Sequence, residues 1–174
     1  MSSQPDICLI DSSITASKPV SKDVLILGIV WFFIVVILIF YLIYKNITWY
    51  GDPSKILLPK WSPKGKTLFY IWAIFAIIFG WCWYRGVHTI SSWYFAIAFF
   101  LVLVIALSMF YFHNASMTKI MAVITVLYFA YLSWILWKKE NTHVSIGVAI
   151  CNIGLILFTY MIFKSEVDLC SDDE

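Results

Sequence analysis

The chain has 174 residues, of which 62% are hydrophobic and only 13% charged, with a formal net charge of +2. Soluble domains are about half apolar and roughly a quarter charged, so this composition excludes an ordinary soluble domain. The small net charge, without a basic stripe carrying interleaved aromatics, excludes nucleic acid as a partner.

Residues 1–23 contain Pro5, Asp6 and Asp11 and lack a basic segment followed by a short apolar core, so no cleavable signal peptide is expected. Five uninterrupted apolar runs follow: Val24–Tyr44, Thr67–Tyr84, Ile90–Phe112, Ile120–Trp137 and Val144–Phe163. At ~1.5 Å of rise per residue each spans about 27–34 Å, the thickness of a bilayer's hydrocarbon core. Barrel strands would alternate apolar and polar residues, and these runs do not. The expected fold is therefore an all-α integral membrane protein, a bundle of five transmembrane helices over residues 24–164 with the lipid bilayer as its surroundings. An ordered first loop is expected over residues 45–66 and an acidic, solvated tail over residues 165–174.

None of the five runs contains Asp, Glu, Lys or Arg, although the chain has 12 basic and 10 acidic residues. Ion pumps, proton relays and charge-coupled transporters place ionisable groups within the membrane, so these classes are disfavoured. Lys18, Lys22, Arg85, Lys138 and Lys139 fall on one side. Lys45, Lys55, Lys60, Lys64, Lys66, Lys119 and Lys164 fall on the other. This bias predicts a cytoplasmic first loop and C-terminus. The sequons at Asn46 and Asn114 lie on that same side, hard against the membrane boundary, and are expected to be unused.

Cys8, Cys82, Cys151 and Cys170 show no metal or disulfide spacing, and Cys82 and Cys151 read as small buried hydrophobes. His88, His113 and His143 fall one per loop at helix ends, and His113 lies on the opposite side from the other two, so no three-histidine metal site is expected. Ser91, Ser92 and Ser108 have no base at a workable spacing, which leaves nucleophilic catalysis unsupported. Gly80, Gly147 and Gly154 offer close helix approach. The last two share nearly one face of the fifth helix, for packing within the bundle or against a second copy in a homodimer.

The first loop and second helix have a texture of their own. Trp49-Tyr50 is followed by Pro53, then Pro59, Trp61, Pro63, Gly65, Trp72 and Gly80, and the aromatics Trp81, Trp83 and Tyr84 close the run. Prolines and glycines at this density break the helix into turns, and Pro63 suits the first turn of the helix to come. Trp49, Tyr50 and Trp61 are apolar enough to fold back as a lid over the bundle. Most of the remaining tryptophans (Trp31, Trp83, Trp93, Trp134, Trp137) read as packing or interfacial belt residues.

The succession Trp49-Tyr50, Pro59, Pro63, Gly65, Trp72 and Gly80 resembles the TspO family, the tryptophan-rich sensory proteins and translocator proteins formerly called peripheral benzodiazepine receptors. The resemblance covers residues 49–84; elsewhere it rests on length, five spans and the long first loop. The chain departs from the family pattern at Lys64, Lys66 and Ala76. It also lacks the Gln and Asn-Trp of the family's third helix and the Pro-Tyr of the fifth, where Asn152, Phe158 and Tyr160 are loose stand-ins. The resemblance implies a pocket between the helices, beneath the first loop, for a planar hydrophobic ligand such as porphyrin, haem or a sterol. It implies Trp72, Trp49, Trp61 and Trp81 as ligand-binding residues, with Pro59, Pro63, Gly65 and Gly80 shaping loop and helix. No cofactor is obligatory, and the expected role is sensing, sequestration or transport rather than efficient catalysis, with weak porphyrin degradation as the family's suggested activity. The missing polar residues motivate the alternative of a structural membrane anchor in a larger assembly, such as a membrane complex or the inner membrane of a large virus. A small transporter without charge coupling is a third reading.

Overall fold

The computed structural model describes residues 21–46, 59–63 and 65–165. Trp49, Tyr50, Pro53, the lid expected around them, Cys8, Cys170 and the acidic tail lie outside the described residues. Five helices account for almost everything else: α1 (Lys22–Lys45), α2 (Gly65–Gly86), α3 (Ser92–Phe110), α4 (Ala115–Lys138) and α5 (Thr142–Lys164). Each contains a stretch long and apolar enough to cross a membrane, and together they fit an integral multi-pass membrane protein.

The helix ends show how the sequence punctuates itself. α1 starts at Ser21, whose side chain accepts a hydrogen bond from the Asp23 N–H, and stops at Asn46, whose side-chain amide donates to the Leu42 carbonyl at 2.9 Å. α4 begins at Ala115, well before the apolar run that starts at Ile120, because Asn114 Oδ1 accepts from the Met117 N–H at 2.9 Å. The Thr118 hydroxyl donates back to the Asn114 carbonyl at 2.7 Å, so the helix itself absorbs its polar first turn. α3 is shorter than the apolar run that encodes it. Ile90 and Ser91 precede it, and Tyr111 and Phe112 follow it as exposed interfacial aromatics.

The helices pack as a ring in the order α1, α3, α4, α5, α2, which closes where α2 meets α1. The α4–α5 contact is the most extensive and the α1–α2 contact the least, although these two are consecutive in the chain. Inside the ring, Phe79 of α2 is wholly buried. Its ring meets Phe99 edge-on at 4.7 Å and lies 4.9 Å from Phe129, so α2, α3 and α4 share one aromatic core. Trp83 lies parallel to Phe32 of α1 at 6.4 Å and donates its N–H to Ser92 at 3.4 Å, making it a core residue rather than a belt residue. Trp93, Trp134 and Trp137 are exposed at the bundle end that carries the start of α1, where Lys138 sits 4.2 Å above the Trp134 ring.

Several polar groups inside the bundle are paired close to home, as a hydrocarbon environment favours, although Trp31 Nε1, Trp72 Nε1 and Asn152 Oδ1 are buried without a partner among the described residues. Ser133 and Ser145 bond reciprocally across α4 and α5: each hydroxyl reaches the other residue's carbonyl, at 3.0 and 2.8 Å. Tyr128 donates to the Tyr94 carbonyl at 2.9 Å and ties α4 to α3. Asn141, in the loop before α5, donates to Thr89 at 2.7 Å and pins two loops together.

Candidate functional site

α2 and α5 run antiparallel, and their contact is tight at Gly147 and open at Gly154, towards the first-loop end. Gly147 of α5 sits tight against α2, where a Cβ would stand 2.5 Å from Cys82 Sγ and 3.4 Å from the Trp81 ring. Two turns further on, a Cβ on Gly154 would meet no atom within 4 Å. Within the bundle, Gly147 seats α5 on α2 and Gly154 leaves an opening. Gly80 faces the other way, towards α1, where a Cβ would reach the Phe32 ring at 2.8 Å.

The opening at Gly154 is a cavity of about 230 Å³. Its α2 wall is Leu68, Ile71, Trp72 and Phe75, and its α5 wall includes Gly154, Leu157, Phe158 and Met161. Trp61 and Pro63 close the top. Ile71 and Leu157 are exposed on the outer surface of the bundle, so the cavity is a cleft that opens sideways towards lipid. The Trp61 ring stacks on Tyr160 of α5 at 5.8 Å and 16°, which fastens the segment before α2 across the cleft.

The local sequence explains this cap. Pro59 opens a turn in which its carbonyl accepts from the Ser62 N–H at 2.9 Å. The turn delivers Trp61, which is 54% exposed, to α5. Pro63 stands two residues ahead of Gly65, the first residue of α2. It is therefore part of the cap and not of the helix's first turn, as its sequence position had suggested.

Of the four expected ligand residues, Trp61 and Trp72 come together in the cleft. Trp49 lies outside the described residues. Trp81 is 48% exposed and sits lower on α2, against Gly147, away from the cleft. Trp72 is only 6% exposed and is wedged edge-to-face between Phe75 and Phe158, each at 5.5 Å. Its Nε1–H has no acceptor among the described residues. That nitrogen is sealed behind the aromatic edges, so the cleft presents carbon to whatever enters it. Trp72 and Phe75 also border a much smaller void of about 20 Å³ on the opposite side of α2, against Phe40 of α1 and Phe99 of α3. The two side chains form the partition between the lateral cleft and the bundle interior.

On α5, sequence reasoning missed Leu157 and Met161 and took Gly154 for a close approach rather than an opening. The three recur at the three- and four-residue spacing of one helix face. In so apolar a helix, hydropathy does not mark which face lines a cavity, and the signals were Gly154 and the loose stand-ins Phe158 and Tyr160. Among the described residues no three or more His, Cys, Asp or Glu side chains converge as metal ligands. No family model matches the chain, and neither a curated protein nor a solved structure matches it.

Proposed function

We propose that this protein binds a hydrophobic ligand within the bilayer, in the cleft between α2 and α5, to sense it, hold it or pass it on. The observation that carries this reading is the convergence of Pro63 and Trp72, residues of the TspO-like pattern, with Trp61 on one carbon-lined opening. An apolar cavity of about 150 Å³ suffices to hold benzene, so about 230 Å³ takes one ring system or chain segment. A porphyrin or haem would enter by an edge, with the Trp61 face as its platform, while the remainder stays among the lipid chains. A sterol would fit by its narrow end. In either case the ligand comes from the membrane, because the opening faces sideways.

Titrating protoporphyrin into the detergent-solubilised protein is expected to quench tryptophan fluorescence saturably. Trp61→Ala and Gly154→Leu should each weaken this quenching about tenfold. Linear quenching, or saturable quenching indifferent to both substitutions, would overturn the reading. Stoichiometric recovery in a purified membrane assembly, together with silence towards such ligands, would identify a structural anchor instead.

A further inference from the structure

The rim of the cleft has a chemistry opposite to that of its wall. On α5 the lining recurs at Gly154, Leu157, Phe158 and Met161, and the outer edge of that face, marked by the exposed Leu157, continues into Lys164, the last residue of the helix. With ~3.6 residues per turn, Lys164 lies about 20° around the helix from Leu157 and about 10 Å further towards the membrane surface. On the α2 side, Lys60 is exposed next to the capping Trp61. Lys45 ends α1 at this same end of the bundle, and Lys119 of α4 reaches over the Phe163 ring at 5.7 Å. Among the described residues the only acids, Asp23 and Glu140, lie at the opposite end. Asp52 and the acids from residue 166 onward fall outside the described residues.

We infer that the occupant of the cleft is an acyl chain bearing an anionic head group, with the hydrocarbon between α2 and α5 and the head at Lys164 and Lys60. The inference rests on the cleft being a ligand site and goes on to name the ligand's chemistry. The wall offers no accessible donor, because the Trp72 N–H is sealed, so a polar or charged group inside it would lose hydration without replacement. The guest must therefore be hydrocarbon within the cleft. Two cations at the mouth favour a carboxylate or phosphate there and gain nothing from a neutral hydroxyl. Opening sideways, the cleft can admit one chain while the rest of the molecule remains in the leaflet. A free fatty acid and an anionic phospholipid share this chemistry.

The test uses the full chain in phosphatidylcholine nanodiscs and brominated probes, since bromine quenches tryptophan on contact. Dibromostearate, its methyl ester and brominated phosphatidylglycerol are titrated separately. The acid should quench saturably and at least fivefold more tightly than the ester. Lys164→Gln should weaken the acid several-fold without affecting the ester, and Lys60→Gln should add to that loss. Gly154→Leu and Leu157→Trp, two independent ways of filling the cleft, should weaken both probes, with helix content and monodispersity as the check on folding. Saturable brominated phosphatidylglycerol binding that fatty acid does not displace would support the inference with the bilayer's own lipid as the source. Acid and ester binding equally, with no effect of Lys164→Gln, would overturn the anionic head while leaving the cleft as the site. Quenching by both probes that neither cleft-filling variant alters would overturn the cleft itself.

Discussion

Gly147 and Gly154 lie on one helix, two turns apart, and the same alanine substitution should act on them in opposite ways. At Gly147 the new methyl would stand 2.5 Å from Cys82 Sγ, about 1 Å inside the normal contact distance. Cys82 is fully buried, so relief requires either rotating its side chain into packed neighbours or parting α2 from α5. Such overpacking costs about 1–3 kcal/mol. At Gly154 the methyl enters open space. Replacing glycine by alanine within a helix also gains about 0.5–1 kcal/mol of backbone entropy, but this gain is common to both sites and cancels in their difference. Gly147→Ala should therefore be about 1–3 kcal/mol less stable than Gly154→Ala, read as unfolding midpoints in sodium dodecyl sulfate titrations of mixed micelles. Because the clash is with one sulfur atom, Cys82→Ala should restore much of the loss. A double-mutant cycle should give a coupling of about 1–2 kcal/mol. Equal midpoints for the two glycine variants, or an additive cycle, would refute this account of how α5 seats on α2.

Three further outcomes follow from the hydrogen-bond geometry. Ser133→Ala and Ser145→Ala should each lower stability by about 0.6–1.7 kcal/mol, and the double variant by less than their sum, because both remove one reciprocal clasp; the same unfolding titration measures it. Trp72→Phe deletes a buried N–H that has no acceptor, so stability should hold or rise by up to about 1 kcal/mol, in contrast to the loss usual for a shortened core aromatic. Asn114→Ala removes the cap of α4 and should cost about 1 kcal/mol, with faster hydrogen exchange at the Met117 amide as the local readout.

The number of helices and their approximate extents are legible in the sequence because an apolar run free of charge has few other fates. The ends are less legible. Ser116, Thr118 and Lys119 conceal the first turn of α4 from a hydropathy reading, although Asn114 and Thr118 are what make that turn possible. The faces are not legible at all. In water a helix turns its apolar stripe inward, but in a bilayer the core and the lipid are both apolar. Nothing therefore distinguishes Phe79, wholly buried, from Ile77, largely exposed two residues earlier. The placement of α2 beside α5, and hence the cleft, depends on that missing information. The proline- and tryptophan-rich segment marked one wall and the cap. The opposing wall lies some eighty residues away and carried Gly154 and the loose stand-ins Phe158 and Tyr160 as its clues.

The loops joining the last four helices are residues 87–91, 111–114 and 139–141, whereas α1 and α2 are separated by residues 46–64. The four later helices are thus tethered as consecutive hairpins, but α1 is joined to them through a much longer connection and packs mainly on α3. The chain has a natural seam there. Cut within the first loop, it becomes two polypeptides, a single span and a four-span partner, each with helices that can insert independently before meeting. Co-expressed halves should reassemble into a functional bundle, a complementation that a cut in any of the three short loops should not support.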